Sequence, residues 1–289
     1  MDVAQVLERL GGVADAAALV AATSKRRVLT AVAAGDIVRD GHGRYALPGA
    51  EEALRAAGRL TGVVSHLSAA AYWGWAVKTP AVRPSVTVPR NRKVAPERRK
   101  GVDVYYANLS DEDRDRGVTG KGRTVVDCAK KRPFDEALAV ADSALRAGDV
   151  TRDELVSLAE QVATTHRAEC QRVAREADGR AANPFESVLR AVSLDVPGLR
   201  LEPQQVVVTR PRIIRPDLLD WRLRLVVEAE SFEFHGDRSA LVRDCERYNE
   251  LGALGWTVYR FTWGHVMHAP WYVKQVLAAA AARSPGRAA

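Results

Sequence analysis

The chain is poor in sulfur and has no long apolar run. Its three cysteines, Cys128, Cys170 and Cys245, are scattered over 289 residues with no CxxC or Cys/His spacing. That excludes a clustered zinc site and makes a disulfide framework an unsuitable organiser of the fold. No stretch of about 18 apolar residues occurs, so no transmembrane helix is expected. The N-terminus MDVAQVLERL carries acids where a secretory signal needs a basic start followed by an apolar run. A cytoplasmic protein with no membrane partner is the expectation. A Gly-rich phosphate loop and a nucleophile elbow are also missing, which disfavours NTP hydrolysis and α/β-hydrolase chemistry.

What is present describes an ordinary globular chain, 47% hydrophobic and 27% charged. Its length exceeds what one core usually organises, so two or three domains are expected. The formal charge of +7 favours a polyanionic partner, because Lys and Arg that neutralise phosphates release counterions.

Residues 2–10 read as an amphipathic helix with Val3, Val6, Leu7 and Leu10 on one stripe, ended by Gly11-Gly12. A second helix is expected over Asp15 to Ala22, and a third over Ser24 to Ala34, N-capped by Thr23-Ser24 and stopped by Gly35. The apolar ends of Asp36 to Leu47 flank a Gly-containing turn, which predicts a hairpin. Three short helices and a β-wing within residues 1–50 look like a winged helix-turn-helix, with Ser24 to Ala34 as the recognition helix. Ser24, Lys25, Arg26, Arg27 and Thr30 are then candidate DNA contacts, since the first turn of a helix presents side chains and N–H groups to phosphates and base edges. His42 and Arg44 would ride the wing. The alternative is a protein-binding module with a solvated basic turn.

A linker is expected at Pro48 to Glu52, followed by a mixed α+β region over 51–160. The segment Ser65-His66-Leu67-Ser68-Ala69-Ala70 leads into Tyr72, Trp73 and Trp75, most simply a helix core in which His66 is a structural hydrogen bonder. After a strand-like Pro84 to Val88 come Arg90, Arg92, Lys93, Arg98, Arg99 and Lys100, with only Glu97 as counter-charge. This stretch is either a positive loop beside a nucleic-acid channel or a solvated excursion. Val102 to Ala107 alternates as a strand, and amphipathic helices follow at Thr124 to Lys131 and Pro133 to Ala147. A Thr-x-x-Glu capping box at Thr151 opens another. Residues 161–182, charged and Ala-rich, read as a helical linker to a final domain over 183–289.

That domain holds the most telling stretch, Ile213 to Gly236. Its apolar residues form two short strands, with Asp217, Glu228 and Glu230 among them rather than in the loops. If the hairpin turns on Arg222 and Leu223, Asp217 lies opposite Glu228, and the period of two puts Glu230 on the same face. Two carboxylates about 4 Å apart repel by roughly 4 kcal/mol at an effective dielectric near 20, so such a cluster needs protons or a cation between its members. Oxygen ligands of this kind suit Mg2+ or Mn2+. The alternative is a solvated face whose acids pair with Arg215, Arg222, Arg224, Arg238 and Arg243.

The pairing of Pro216-Asp217 with Glu228-Ala229-Glu230 resembles the PD-(D/E)XK nuclease superfamily. The wider run is similar to its very-short-patch-repair-like endonuclease family. It has VVEAE at Val226 to Glu230, then His235, a charged helix over Ser239 to Leu254, and the closing strand Gly255-Trp256-Thr257-Val258-Tyr259-Arg260-Phe261-Thr262-Trp263. The resemblance implies a restriction-endonuclease-like α/β sandwich in which Asp217 and Glu228 hold the metal and Glu230 completes the site. It makes His235 a general acid or base and Glu186 the upstream helical carboxylate. Glu230 departs from it, standing where the superfamily usually has Lys. Independently, the N-terminal region with its SHLSAA segment resembles abortive-infection type IV antitoxins, which are DNA-binding repressors.

The expected architecture is therefore α/β overall and multidomain, with double-stranded DNA as partner and, by the antitoxin resemblance, a toxin protein as another. Two functions follow. One is a Mg2+- or Mn2+-dependent DNA endonuclease delivered by its winged domain. The other is a repressor whose nuclease-like domain is catalytically inactive.

Overall fold

Fifteen helices and twelve short strands make up the described residues of the protein in a computed structural model, which makes the chain mixed α/β. The described residues are 2–10, 13–39, 44–209, 212–230 and 238–283. By packing they form two units, Met1–Gly179 and Arg180–Ala289. None of the described helices is long and apolar enough to cross a membrane.

The first unit begins with α1 (Val3–Arg9), β1 (Val13–Asp15), α2 (Ala16–Ala22), α3 (Lys25–Ala34), β2 (Val38–Arg39) and β3 (Arg44–Ala46). The Ser24 hydroxyl accepts the Arg27 N–H at the start of α3, and Gly35 closes that helix with a left-handed φ of 79°. The three strands form an antiparallel sheet in the order β1-β3-β2. Val3, Val6 and Leu7 of α1, Leu19 of α2, Val28 of α3 and Ile37 meet in one core.

The expected linker at Pro48 to Glu52 is instead the start of α4 (Gly49–Leu60), with Pro48 as its N-cap. A proline there costs the helix no hydrogen bond. Ala53, Ala56, Ala57 and Leu60 form a buried stripe at helical spacing, and that burial holds the helix. It packs beside a sheet of β4 (Val63–Val64), β5 (Ser85–Pro89) and β6 (Asp103–Ala107), with α5 (His66–Tyr72) before β5 and the short α6 (Pro96–Arg99) before β6. A Cβ at Gly62 would stand 2.6 Å from the Thr87 carbonyl, so only glycine lets the end of α4 approach β5 this closely.

Next come α7 (Asp111–Arg116), α8 (Lys121–Lys131), α9 (Phe134–Arg146), α10 (Arg152–Glu160) and α11 (Thr164–Glu176), the last four packed on one another. Residues 161–182, expected as a linker, therefore hold a packed helix whose Cys170, Val173 and Ala174 are buried. Those three lie at i, i+3 and i+4, a narrow apolar stripe that a count of large apolar residues overlooks.

The second unit contains α12 (Pro184–Leu194), β7 (Glu202–Pro203), β8 (Val207–Val208), β9 (Ile213–Ile214), β10 (Leu218–Asp220), β11 (Leu225–Glu230), α13 (Arg238–Ala253), β12 (Thr257–Thr262), α14 (Trp263–His268) and α15 (Pro270–Ala282). The first of the two strands expected within Ile213 to Gly236 is shorter than read. Pro216 has no N–H for a ladder, and the chain splits there into β9, which pairs with β8, and β10, which joins the main sheet. That sheet runs β12-β11-β10-β7, with β10 antiparallel to β11 and β11 parallel to β12.

Strand alternation sorts the side chains onto two faces. Leu218, Leu225, Val227 and Phe261 pack with α12, α14 and α15, while Leu219, Val226 and Trp256 pack with Leu251 of α13. Asp217, Glu228 and Glu230 share the parity of this second set, so the acids belong to the α13 face. Replacing the fully buried Leu219 by Ala is expected to cost about 2–5 kcal/mol, measured by urea unfolding.

Candidate acidic site and basic helix

The turn over residues 221–224 sets everything that follows. Asp220, almost fully buried, accepts the Leu223 N–H at 3.0 Å inside the turn and the Arg200 N–H at 2.8 Å from the loop before β7. The register beyond it pairs Leu218 with Val227, and one step further brings Asp217 beside Glu228. Asp217 accepts the Ala229 N–H at 2.8 Å, and the Asp217 N–H points to Glu228 Oε2 at 3.4 Å. Each of the two carboxyl groups is thus tied to the backbone of the other's segment in the interior of the unit.

Burial dominates the electrostatics. It pushes Glu228 up to about 8, helped by the Asp217 charge and opposed by Arg247. Asp217 is raised too, first by burial, with the Ala229 N–H pulling the other way. Glu228 therefore keeps its proton near neutral pH.

Two arginines complete the cluster. Arg247 of α13 donates to Glu228 Oε1 at 2.6 Å and also reaches the Arg215 carbonyl at 3.2 Å. Arg260 of β12 places two guanidinium nitrogens on Glu230 Oε2, at 2.8 and 2.6 Å. Tyr248 lies between them, its ring 5.9 Å from the Arg247 guanidinium carbon and 4.3 Å from that of Arg260. Burial and the two nearby glutamates raise its hydroxyl pKa.

These partners differ from the arginines expected for a solvated face. Arg222, for example, donates to the Gly198 carbonyl and lies 3.9 Å from Asp220. Glu228 is only 4% exposed, so the face is not solvated at its centre. Residues 247, 248 and 251 occupy successive positions of the α13 stripe that faces the sheet, the one signal in the sequence that could have found Arg247 and Tyr248.

Glu186 is placed differently. Asn183 caps α12 and accepts the Glu186 N–H, while the Glu186 carboxylate accepts from Ala182 N–H at 2.8 Å, the Asn183 amide at 2.8 Å and the Gln204 amide at 3.0 Å. Gln204, held at a left-handed φ of 55°, also donates its N–H to the Asp217 carbonyl at 3.0 Å. Sequence reasoning missed this residue, which links the buried glutamate to the strand carrying Asp217. His235 lies outside the described residues. His66 matches its structural reading: it is 4% exposed, bonded to the Ser65 hydroxyl at 2.9 Å and lowered by burial to about 4.

In the first unit, Lys25, Arg26, Arg27 and Thr30 are all exposed along the start of α3. Ser24, Arg26, Arg27 and Thr30 line a surface hollow of about 430 Å³ together with Asp2 and Asp36. Arg44 begins β3, and His42 lies outside the described residues.

No protein-family model matches the chain. It is 33% identical over 146 residues to an uncharacterized protein of Mycobacterium tuberculosis strain CDC 1551 / Oshkosh, and equally to one of strain ATCC 25618 / H37Rv. In each case the match covers 50% of this chain and 54% of the relative. The chain thus spans about half the length of the curated relatives it matches.

A carboxyl whose folded pKa exceeds its unfolded value keeps a proton that the unfolded chain has lost. For Glu228 that window runs from about 4.5 to about 8. Its stabilising contribution is complete below the window and lost as pH rises through it. Between pH 6 and 9 the wild type is expected to lose several degrees of Tm, and Glu228→Gln to show a flatter profile in the same scans. Arg247→Ala removes an opposing cation, so the Glu228 titration should move above 8, as followed by carboxyl-carbon NMR.

Proposed function

We propose that the chain is a double-stranded-DNA-binding protein whose second unit is a restriction-endonuclease-like sandwich hydrolysing phosphodiesters with Mg2+ or Mn2+. The single observation that carries this reading is the buried Asp217–Glu228 pair, two adjacent carboxyl groups whose charged forms burial disfavours and a divalent cation would stabilise. Their oxygen donors fit a hard divalent ion, with Asp217 and Glu228 as its holders. Such an ion, when bound, polarises a phosphoryl oxygen and lowers the pKa of water.

The chain's own residues do the rest. The Ala229 N–H orients Asp217 and Arg247 orients Glu228, and a bound cation would favour the deprotonated form of both carboxyl groups. Arg260, held on Glu230, brings positive charge to the triplet position where the superfamily usually has Lys. Glu186 and Gln204 brace the strand that carries Asp217. The N-terminal three helices and small sheet serve as a winged helix-turn-helix, with Lys25, Arg26 and Arg27 offered to phosphates and base edges.

A second reading has its own support. Glu228 and Glu230 are each already paired with an arginine, which favours a DNA-binding repressor of the antitoxin type whose second unit no longer cleaves.

Plasmid nicking with Mn2+ separates the two. The endonuclease reading expects nicking by wild type and at least a hundredfold loss in Asp217→Ala, with calorimetric Mn2+ binding lost in Glu228→Gln. Equal nicking by both proteins, with Mn2+ binding absent from wild type, leaves the repressor. In either case Arg26→Ala with Arg27→Ala should weaken duplex binding about tenfold or more in a gel shift.

A further inference from the structure

The densest positive charge of the chain lies in neither of these places. Between Arg90 and Lys100 stand Arg90, Arg92, Lys93, Arg98, Arg99 and Lys100 against Glu97 alone, while the whole chain carries +7. Strands β5 and β6 are parallel neighbours, so residues 90–102 form the crossover that joins them. This segment is anchored rather than loose, because Val94 and Val102 are buried in the core beneath it.

Its arginines are held by neutral acceptors. Arg98 donates to the Arg59 carbonyl at 2.7 Å, at the C-terminal end of α4, and Arg92 donates to the Thr61 hydroxyl at 3.0 Å. Both acceptors belong to the turn that ends α4, so the Arg92 and Arg98 guanidinium groups are gathered beside it. Arg99 donates to the Val94 carbonyl at 2.9 Å and lies 5.6 Å from the Tyr106 ring centre. Among the described residues none of the six cations forms an ion pair with a carboxylate. Elsewhere in the same unit Arg123 and Arg132 do so closely, with Asp113 and Glu136 at 2.6 Å each. Guanidinium groups fixed in place with uncompensated charge carry little ordering cost when an anion arrives.

We infer that the β5–β6 crossover and the end of α4 form a second contact surface for the phosphate backbone of duplex DNA, separate from α3 and indifferent to sequence. The inference rests on the DNA-binding reading above. Arginine and lysine placed on a rigid surface without base-reading geometry position a duplex and set its salt dependence. The surface therefore supplies affinity while α3 supplies selection.

The test measures duplex binding of the full chain by fluorescence anisotropy from 50 to 400 mM KCl. The compared proteins are wild type, Arg92→Gln/Arg98→Gln/Lys100→Gln, the charge-preserving Arg92→Lys/Arg98→Lys, and Arg26→Ala/Arg27→Ala. Each lost phosphate contact makes the slope of log K against log salt shallower by about 0.9. The triple variant is expected to lose about 2–3 from that slope, equally on every sequence, while the lysine variant keeps it. An unchanged slope in a triple variant that unfolds at the wild-type temperature overturns the inference and leaves DNA binding through α3 standing. Loss of duplex RNA binding with an intact DNA slope also overturns it. Absence of DNA binding by wild type overturns the inference and the DNA-binding reading together.

Discussion

Two carboxyl groups are forced together at the centre of the second unit, and the surrounding structure is arranged to make that tolerable. Asp217 and Glu228 meet because Asp220 fixes the turn and the turn fixes the register. Desolvation disfavours a doubly charged pair, raising Glu228 to about 8, while a backbone N–H and the Arg247 guanidinium oppose it. The parallel strand β12 adds Arg260 against the third acid. Helix α13 and strand β12 are thus as necessary to the cluster as the hairpin itself.

The hairpin was legible in the sequence because its information is local. The turn at Arg222-Leu223 sets which residues face each other, and alternation sets which face they share. The capped helix α3 was legible for the same reason, since Ser24 marks its start. The counter-charges were not. The hairpin arginines Arg215, Arg222 and Arg224 looked like natural partners, whereas Arg247 arrives from α13 and Arg260 across a parallel ladder. Parallel pairing leaves no local turn to announce its register. Helix α4 was hidden by Pro48, which reads as a break although it stands at a helix entrance. Gln204 gave no signal because its role depends on reaching two elements at once.

Charge is distributed with the same division between local and distant. The second unit compensates its buried acids residue by residue. The first unit leaves α3 and the β5–β6 crossover with exposed cations bound, where they are bound at all, to neutral oxygens. A positive patch without partners is electrostatically costly to the isolated fold and becomes favourable only against an anion. The position of α4, brought close to β5 by Gly62, is what allows the crossover to be tethered at its end.

The thiols divide in a useful way. Cys128 is fully enclosed, and burial raises it and Cys170, the latter to about 11, so both remain protonated and unreactive at neutral pH. Cys245 alone is exposed, on α13 two residues before the arginine that holds Glu228. A maleimide dye would thus attach at one place without any engineered cysteine, giving the native chain a built-in fluorescent reporter beside its acidic centre.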